Sequence, residues 1–344
     1  MNPTATVILL LSLATGTTIT LMSHHWLLAW IGLEINTLAI IPLMTQTPHP
    51  RAIEAATKYF LTQATASALI LFSATMNAWK TGEWDITLLQ EPFTLTLPLA
   101  LMMKLGLAPL HFWMPEVIQG IPLMTGLILS TWQKIAPLTL LFQTHSHINN
   151  NLIIIISITS ILIGGWGGIN QTQLRKIMAF SSIGHLGWML IILKFNPTLT
   201  LFNFIFYVLM TTAMFLSLST LSATKMANIF TSWPKTPTLA TTTMLTLLSL
   251  AGLPPLSGFA PKLLTTLELV KQDAVLISAL VLAASLLALF FYIRLTYILV
   301  LTIPPNTSNS SMNWRSSYTP LHTAIMNVLA LLTFSMTPTL LFTI

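Results

Sequence analysis

Four ionisable side chains, Glu34, Lys104, Lys134 and Lys262, stand deep inside apolar runs of this 344-residue chain. A charge at bilayer depth costs about 2.5–3.5 kcal/mol on insertion scales, so each needs a physical reason. Burial disfavours a charged lysine, and a nearby carboxylate favours it. A lysine whose carboxylate partner can approach or withdraw can therefore load and release a proton. Serine and threonine, abundant here, can hold connecting waters. The implied chemistry is proton transfer, with no covalent step.

Glu34 lies near the middle of the second apolar run; it is either a helix-packing carboxylate or a functional one. Lys104 sits two residues before a Gly106–Pro109 interruption, too deep to snorkel easily. Lys134 precedes Pro137 by three residues, and a proline frees a backbone carbonyl one turn earlier. Lys262 follows a second interruption at Gly252–Pro255. Glu54 and Lys58 are four apart with the carboxylate first, the favourable order for a helical ion pair. That pair reads equally as structural or functional, as does Glu116 beside Pro115. His185, between Gly184 and Gly187, is either a packing histidine or a proton relay. Arg294 is near enough to its helix end to snorkel.

Other chemistries fail. There are no cysteines, which excludes disulfides, thiolate metal sites and iron–sulfur ligation. No dinucleotide fingerprint or phosphate-binding loop is present. Gly164-Gly165-Trp166-Gly167-Gly168 reads as close helix packing or a helix terminus. His24-His25 marks a span entrance, and no facing histidine pair suggests haem. The charge of +6 is dispersed along loops, which argues against nucleic-acid binding.

The elements that position these residues are membrane helices. Only 6% of residues are charged and 54% are hydrophobic, against about 25% charged in soluble domains. About eleven spans are expected, near 3–22, 25–44, 53–78, 93–110, 118–142, 151–169, 174–193, 198–222, 238–271, 274–301 and 321–342. No cleavable signal pattern precedes the first, so the chain is expected to open directly on a span. Alternate loops hold Arg51, Arg175, Lys176, Lys225, Lys235 and Arg315 on one side, and Lys80, Lys194 and Lys271 on the other. That bias puts the N-terminus inside and, with an odd number of spans, the C-terminus outside.

The two interruptions are related. Gly106-Leu107-Ala108-Pro109-Leu110, then Trp113, Pro115 and Glu116, aligns at an offset of 146 with Gly252-Leu253-Pro254-Pro255-Leu256, then Phe259, Pro261 and Lys262. Paired broken helices in two halves are a pointer to a transport site. Five spans separate the breaks, and an odd number reverses direction. The expected architecture is all-α and polytopic: one membrane domain with inverted five-helix repeats at 1–142 and 151–301, each with a broken helix, plus an extra helix at 321–342.

Several phrases carry a resemblance: Trp30 to Asn36, Glu54 to Phe60, Lys104 to Glu116, Arg175 to His185 and Gly252 to Lys262. Through them the chain resembles, over essentially its whole length, the antiporter-like membrane subunits of respiratory complex I. The resemblance implies a subunit of an H⁺-translocating NADH:ubiquinone oxidoreductase in the mitochondrial inner membrane, N-terminus to the matrix and C-terminus to the intermembrane space. Glu34 would pair with Lys104, Lys134 would connect the halves, and Lys262 would be the terminal lysine. Lys58 matches the family lysine on the helix after Glu34. No redox centre, NADH site or metal is expected in this chain; FMN, iron–sulfur clusters and ubiquinone are implied elsewhere in the complex. Implied partners are neighbouring complex I membrane subunits, other antiporter-like subunits among them, and inner-membrane lipids. Bacterial relatives carry three further N-terminal helices that this chain lacks. Two alternatives stay open: a self-contained cation/proton antiporter, and a structural spacer whose buried charges lock helices together.

Overall fold

The computed structural model describes residues 2–230, 236–301, 321–334 and 337, so Lys235, Arg315 and the far end of the eleventh expected span lie outside it. Every element among the described residues is helical; two isolated bridges are the only β pairings there. The chain divides into two compact units, up to Thr159 and from Ser160.

The first unit opens with α1 (Pro3–Met22), α2 (Trp26–Met44) and α3 (Pro50–Thr81). Proline at the first helical position starts α1 and α3, where its missing N–H is no loss. His25 and His49 cap α2 and α3 by accepting from the backbone N–H of Leu27 and Arg51. His25 is thus a structural cap at the span entrance. α1 and α2 meet through small residues: a Cβ on Gly16 would come within 3.0 Å of Gly32 O, and one on Gly32 within 2.8 Å of Gly16 O.

Next comes α4 (Phe93–Leu105), which stops at Gly106 in the left-handed conformation, φ +77°. Gly106 N–H donates to Met103 O and Leu107 N–H to Met102 O, the paired bonds of a Schellman stop. The chain resumes as α5 (Trp113–Gly120), which packs on α3. The expected fifth span, 118–142, is not one helix. It is α6 (Leu123–Ser130), a 3₁₀ turn (Trp132–Lys134) and α7 (Ile135–Thr144). Pro137, lacking an N–H and crowding the turn before it, accounts for the interruption. Residues 113–120 belong to the broken fourth element instead.

α8 (Asn150–Ile169) spans the boundary between the units. The second unit continues with α9 (Leu174–Leu193), α10 (Pro197–Thr220) and the short α11 (Met226–Phe230). The glycine cluster packs as expected: a Cβ on Gly164 would meet Gly184 N at 2.7 Å, and one on Gly165 would meet Leu287 Cβ at 2.7 Å. α12 (Pro237–Ala251) ends at Gly252, φ +81°, with Gly252 N–H to Ser249 O and Leu253 N–H to Leu248 O. That is the same stop as in the first unit. α13 (Phe259–Lys271), α14 (Val275–Leu301) and α15 (Leu321–Leu332) complete the described helices. Ser257 Oγ donates to Ala330 O, tying the second break to α15.

Each unit also carries one isolated bridge of the same kind. In the first, Trp26 N–H bonds Trp84 O and Ile86 N–H bonds His24 O. In the second, Leu174 N–H bonds Thr224 O and Met226 N–H bonds Thr172 O. Each pins the start of one long helix to the loop that follows the next.

Seven described helices are long and apolar enough to cross a membrane, with α4, α12 and α15 as shorter apolar pieces. For the fourth, fifth and ninth expected spans the Gly and Pro breaks leave each piece below crossing length; the far end of the eleventh lies outside the described residues. Many buried hydroxyls satisfy themselves locally: Thr17 donates to Leu13 O, Ser73 to Ile70 O, Ser217 to Met214 O and Thr243 to Ala240 O. The donors of these side chains are spent on their own helices.

Candidate functional site

In the first unit, Lys104 occupies the last turn of α4 and is 6% exposed. Its Nζ has no hydrogen-bond partner among the described residues. The carbonyls of a helix C-terminus carry negative partial charge, so an ammonium there is in a favourable field. Glu34, half-buried on α2, acts on Lys104 and on Tyr59 electrostatically, without a direct bond to the lysine. Thr37 Oγ donates to the Glu34 carboxylate at 3.0 Å.

Lys134, 3% exposed, lies in the 3₁₀ turn before α7. Lys104 and Lys134 line one cavity of about 20 Å³, counted as space open to the centre of a water. A water needs roughly 10–15 Å³ by that measure, so one fits. The wall also carries Asn36, Thr37, Tyr59, Gln63 and Gln133. Gln133 Nε2 donates to Asn36 O at 3.1 Å, which fixes the 3₁₀ turn against α2.

Lys58 and Glu116 are drawn together but stand apart from that cavity. Lys58 Nζ bonds Glu54 and Glu116, each at 2.6 Å, and all three side chains are well exposed. The helical pair read from sequence therefore forms, and it recruits Glu116 from the second half of the broken helix.

In the second unit, Lys262 lies in the first turn of α13, where the local helix field opposes a cation. Its side chain turns back, and Nζ donates to Ala251 O at the C-terminus of α12, at 2.6 Å. A Cβ on Gly252 would sit 2.8 Å from that Nζ. So both deep lysines are associated with the C-terminal end of a first half-helix, Lys104 by its place in the last turn of α4 and Lys262 by folding back onto Ala251 O. In the first unit the corresponding carbonyl end is met by Trp113, whose Nε1 donates to Met103 O at 3.2 Å.

Two further cavities, each about 20 Å³, adjoin Lys262, and both are also lined by His185 and Trp188. One adds Ser181 and Tyr292; the other adds Asn203 and Tyr207. His185 faces Tyr207 with ring centroids 5.8 Å apart. The structure thus joins Lys104 with Lys134, and Lys262 with His185. Sequence reading missed the neutral wall of Asn36, Tyr59, Gln63, Gln133, Asn203 and Tyr207. Neutral polar residues are frequent in these spans, so spacing alone does not single them out. Among the described residues no group of acidic, histidine or cysteine side chains could hold a metal ion.

Broken membrane helices that hold lysines beside water-sized cavities with polar groups in their walls are the arrangement of a transport site. Residues 23–288 match the model of the NADH:quinone oxidoreductase/Mrp antiporter transmembrane family, and residues 289–341 match that of the NADH dehydrogenase subunit 2 C-terminus. NADH-ubiquinone oxidoreductase chain 2 of Aquarana catesbeiana is 70% identical over 99% of both chains, and that of Xenopus laevis is 58% identical over 92% of both. The fold is similar to that of a chain in respiratory complex I from Thermus thermophilus, with a TM-score of 0.83 and 26% identity over 97% of this chain and 80% of that one. It is also similar to a chain of the Mrp complex from Dietzia, with a TM-score of 0.80 and 19% identity over 91% and 65% of the two chains. The chain belongs to the NADH-ubiquinone oxidoreductase chain 2 family.

Proposed function

We propose that this chain is a proton-translocating membrane subunit of complex I in the mitochondrial inner membrane, and that Glu34, Lys104, Lys134 and Lys262 carry the protons. The observation that carries this reading is the cavity shared by Lys104 and Lys134, which is large enough for a water and has polar side chains in its wall. A proton passes between two amines through one water when both face it and a carboxylate biases one of them. Glu34 supplies that bias for Lys104. His185 is the relay beside Lys262, and Lys58 with Glu54 and Glu116 forms the exposed outer group of the set.

The matching stops at Gly106 and Gly252, the matching bridges and the glycine contacts of α1 with α2 and of α8 with α9 support two repeated halves. An inverted pairing of those halves, with about eleven crossings and one helix left over, follows from the odd number of spans between the breaks. The loop charges favour an N-terminus in the matrix and a C-terminus in the intermembrane space. FMN, iron–sulfur clusters and ubiquinone belong to other subunits in this reading. Neighbouring membrane subunits and inner-membrane lipids cover the exposed apolar flanks.

The test is Lys104→Ala in the assembled complex, with proton pumping followed alongside NADH oxidation. Assembly is expected to survive while coupled pumping and turnover fall. Wild-type pumping in the assembled variant removes Lys104 from the route.

A further inference from the structure

The second unit contains a buried group that no proton-carrying role yet uses. Asn203 lies on α10, is 4% exposed, and neither its Oδ1 nor its Nδ2 has a hydrogen-bond partner among the described residues. Buried amides are rarely left with both ends unmade, because the lost hydration is not recovered. Asn203 lines the cavity shared with His185, Tyr207 and Lys262. The helices α9, α10 and α13 that carry these residues pack on one another in pairs. A cavity of about 20 Å³ has room for a water, and Asn203, His185 and Lys262 in its wall are partners to hold it.

We propose that Asn203 is a positioning residue that anchors a water between His185 and Lys262. This rests on the reading of Lys262 as a proton carrier given above. A carboxamide donates through nitrogen and accepts through oxygen, yet does not itself take up a proton in the neutral range. It can therefore orient a water without trapping charge. The protonated Lys262 Nζ gives its proton to the water as the water gives one of its own to an imidazole nitrogen. The products are a neutral amine, an intact water and an imidazolium, so atoms and charge balance. The reverse transfer resets the pair.

The experiment compares variants in the assembled complex, with NADH-driven pumping and NADH oxidation both followed. Asn203→Leu keeps the branched shape and removes both hydrogen-bonding ends; pumping is expected to fall about tenfold, the rate equivalent of one hydrogen bond. Asn203→Ser, which can still bind water, should recover most of it. Equal impairment by leucine and serine would mean that Asn203 only packs, and would overturn the proposal. Lys262→Met is run beside them. If that variant loses pumping while Asn203→Leu keeps it, the Asn203 proposal fails alone; if Lys262→Met pumps normally, the underlying reading fails. A map of the wild-type complex gives a check that is independent of variant assembly. A water bonded to Asn203 and to His185 or Lys262 supports the role, and a site without such a water overturns it.

Discussion

Lys104 is the residue where carrier and structural strut can be told apart. A buried ion that locks helices together needs a partner, and removing it leaves that partner uncompensated. Lys104 Nζ has no hydrogen-bond partner among the described residues, so an apolar replacement breaks no bond, and half-buried Glu34 keeps its bond from Thr37. Lys104→Met is therefore expected to leave the melting temperature of the assembled subunit unchanged or raised, while pumping falls at least about tenfold. A large loss of thermal stability with pumping kept per assembled complex would identify a strut. Glu34 offers a finer test through Thr37, whose hydroxyl is bonded to the carboxylate at 3.0 Å. Thr37→Val removes one donor and leaves the charge, so its pumping rate should lie between wild type and Glu34→Gln. Equal rates in the two variants would show that the carboxylate's hold, not its charge, matters.

At the scale of elements, the two breaks are alike in backbone and different in chemistry. Both glycines adopt a left-handed conformation, which costs other residues roughly 1–2 kcal/mol. Gly106→Ala and Gly252→Ala should each lose about that much stability. Their functional effects should differ. A Cβ on Gly106 first meets Met114 Sδ and Trp113 at 3.2 Å, whereas one on Gly252 meets Lys262 Nζ at 2.8 Å. Only Gly252→Ala displaces a proton-carrying group, so it alone should slow pumping beyond what its thermal stability explains. Similar pumping in both variants would argue that the Lys262–Ala251 contact is incidental.

For the molecule as a whole, exposed side chains indicate dependence on surroundings. Trp79 is 87% exposed, Leu276 73% and Phe112 72%, and such surface needs lipid or neighbouring subunits to cover it. The chain also offers no described cluster of acidic ligands for a metal cation. Purified alone into liposomes, it is expected to show no exchange of Na⁺ or K⁺ for protons. Exchange above that of protein-free liposomes would favour the self-contained antiporter. Much of this behaviour was legible in the chain's composition, because a run of about twenty apolar residues has few alternatives to a membrane helix. The positions of both breaks were legible too, since glycine and proline act on the backbone locally.

What the linear order could not reveal was which side chains face each other. Lys104 and Lys134 are far apart along the chain and line one cavity, and Glu116 leaves its own neighbours to reach Lys58. Lys262 and Lys104 do not align between the repeated phrases, which reads in sequence as divergence. Folding brings the Lys262 charge to the C-terminal end of α12, through Ala251 O, while Lys104 already stands in the last turn of α4. Helix breaks and membrane character arise from near-neighbour sterics and solvation, and those travel with the residue types. Shared cavities and returned side chains depend on how helices pack, which no spacing along a single helix encodes.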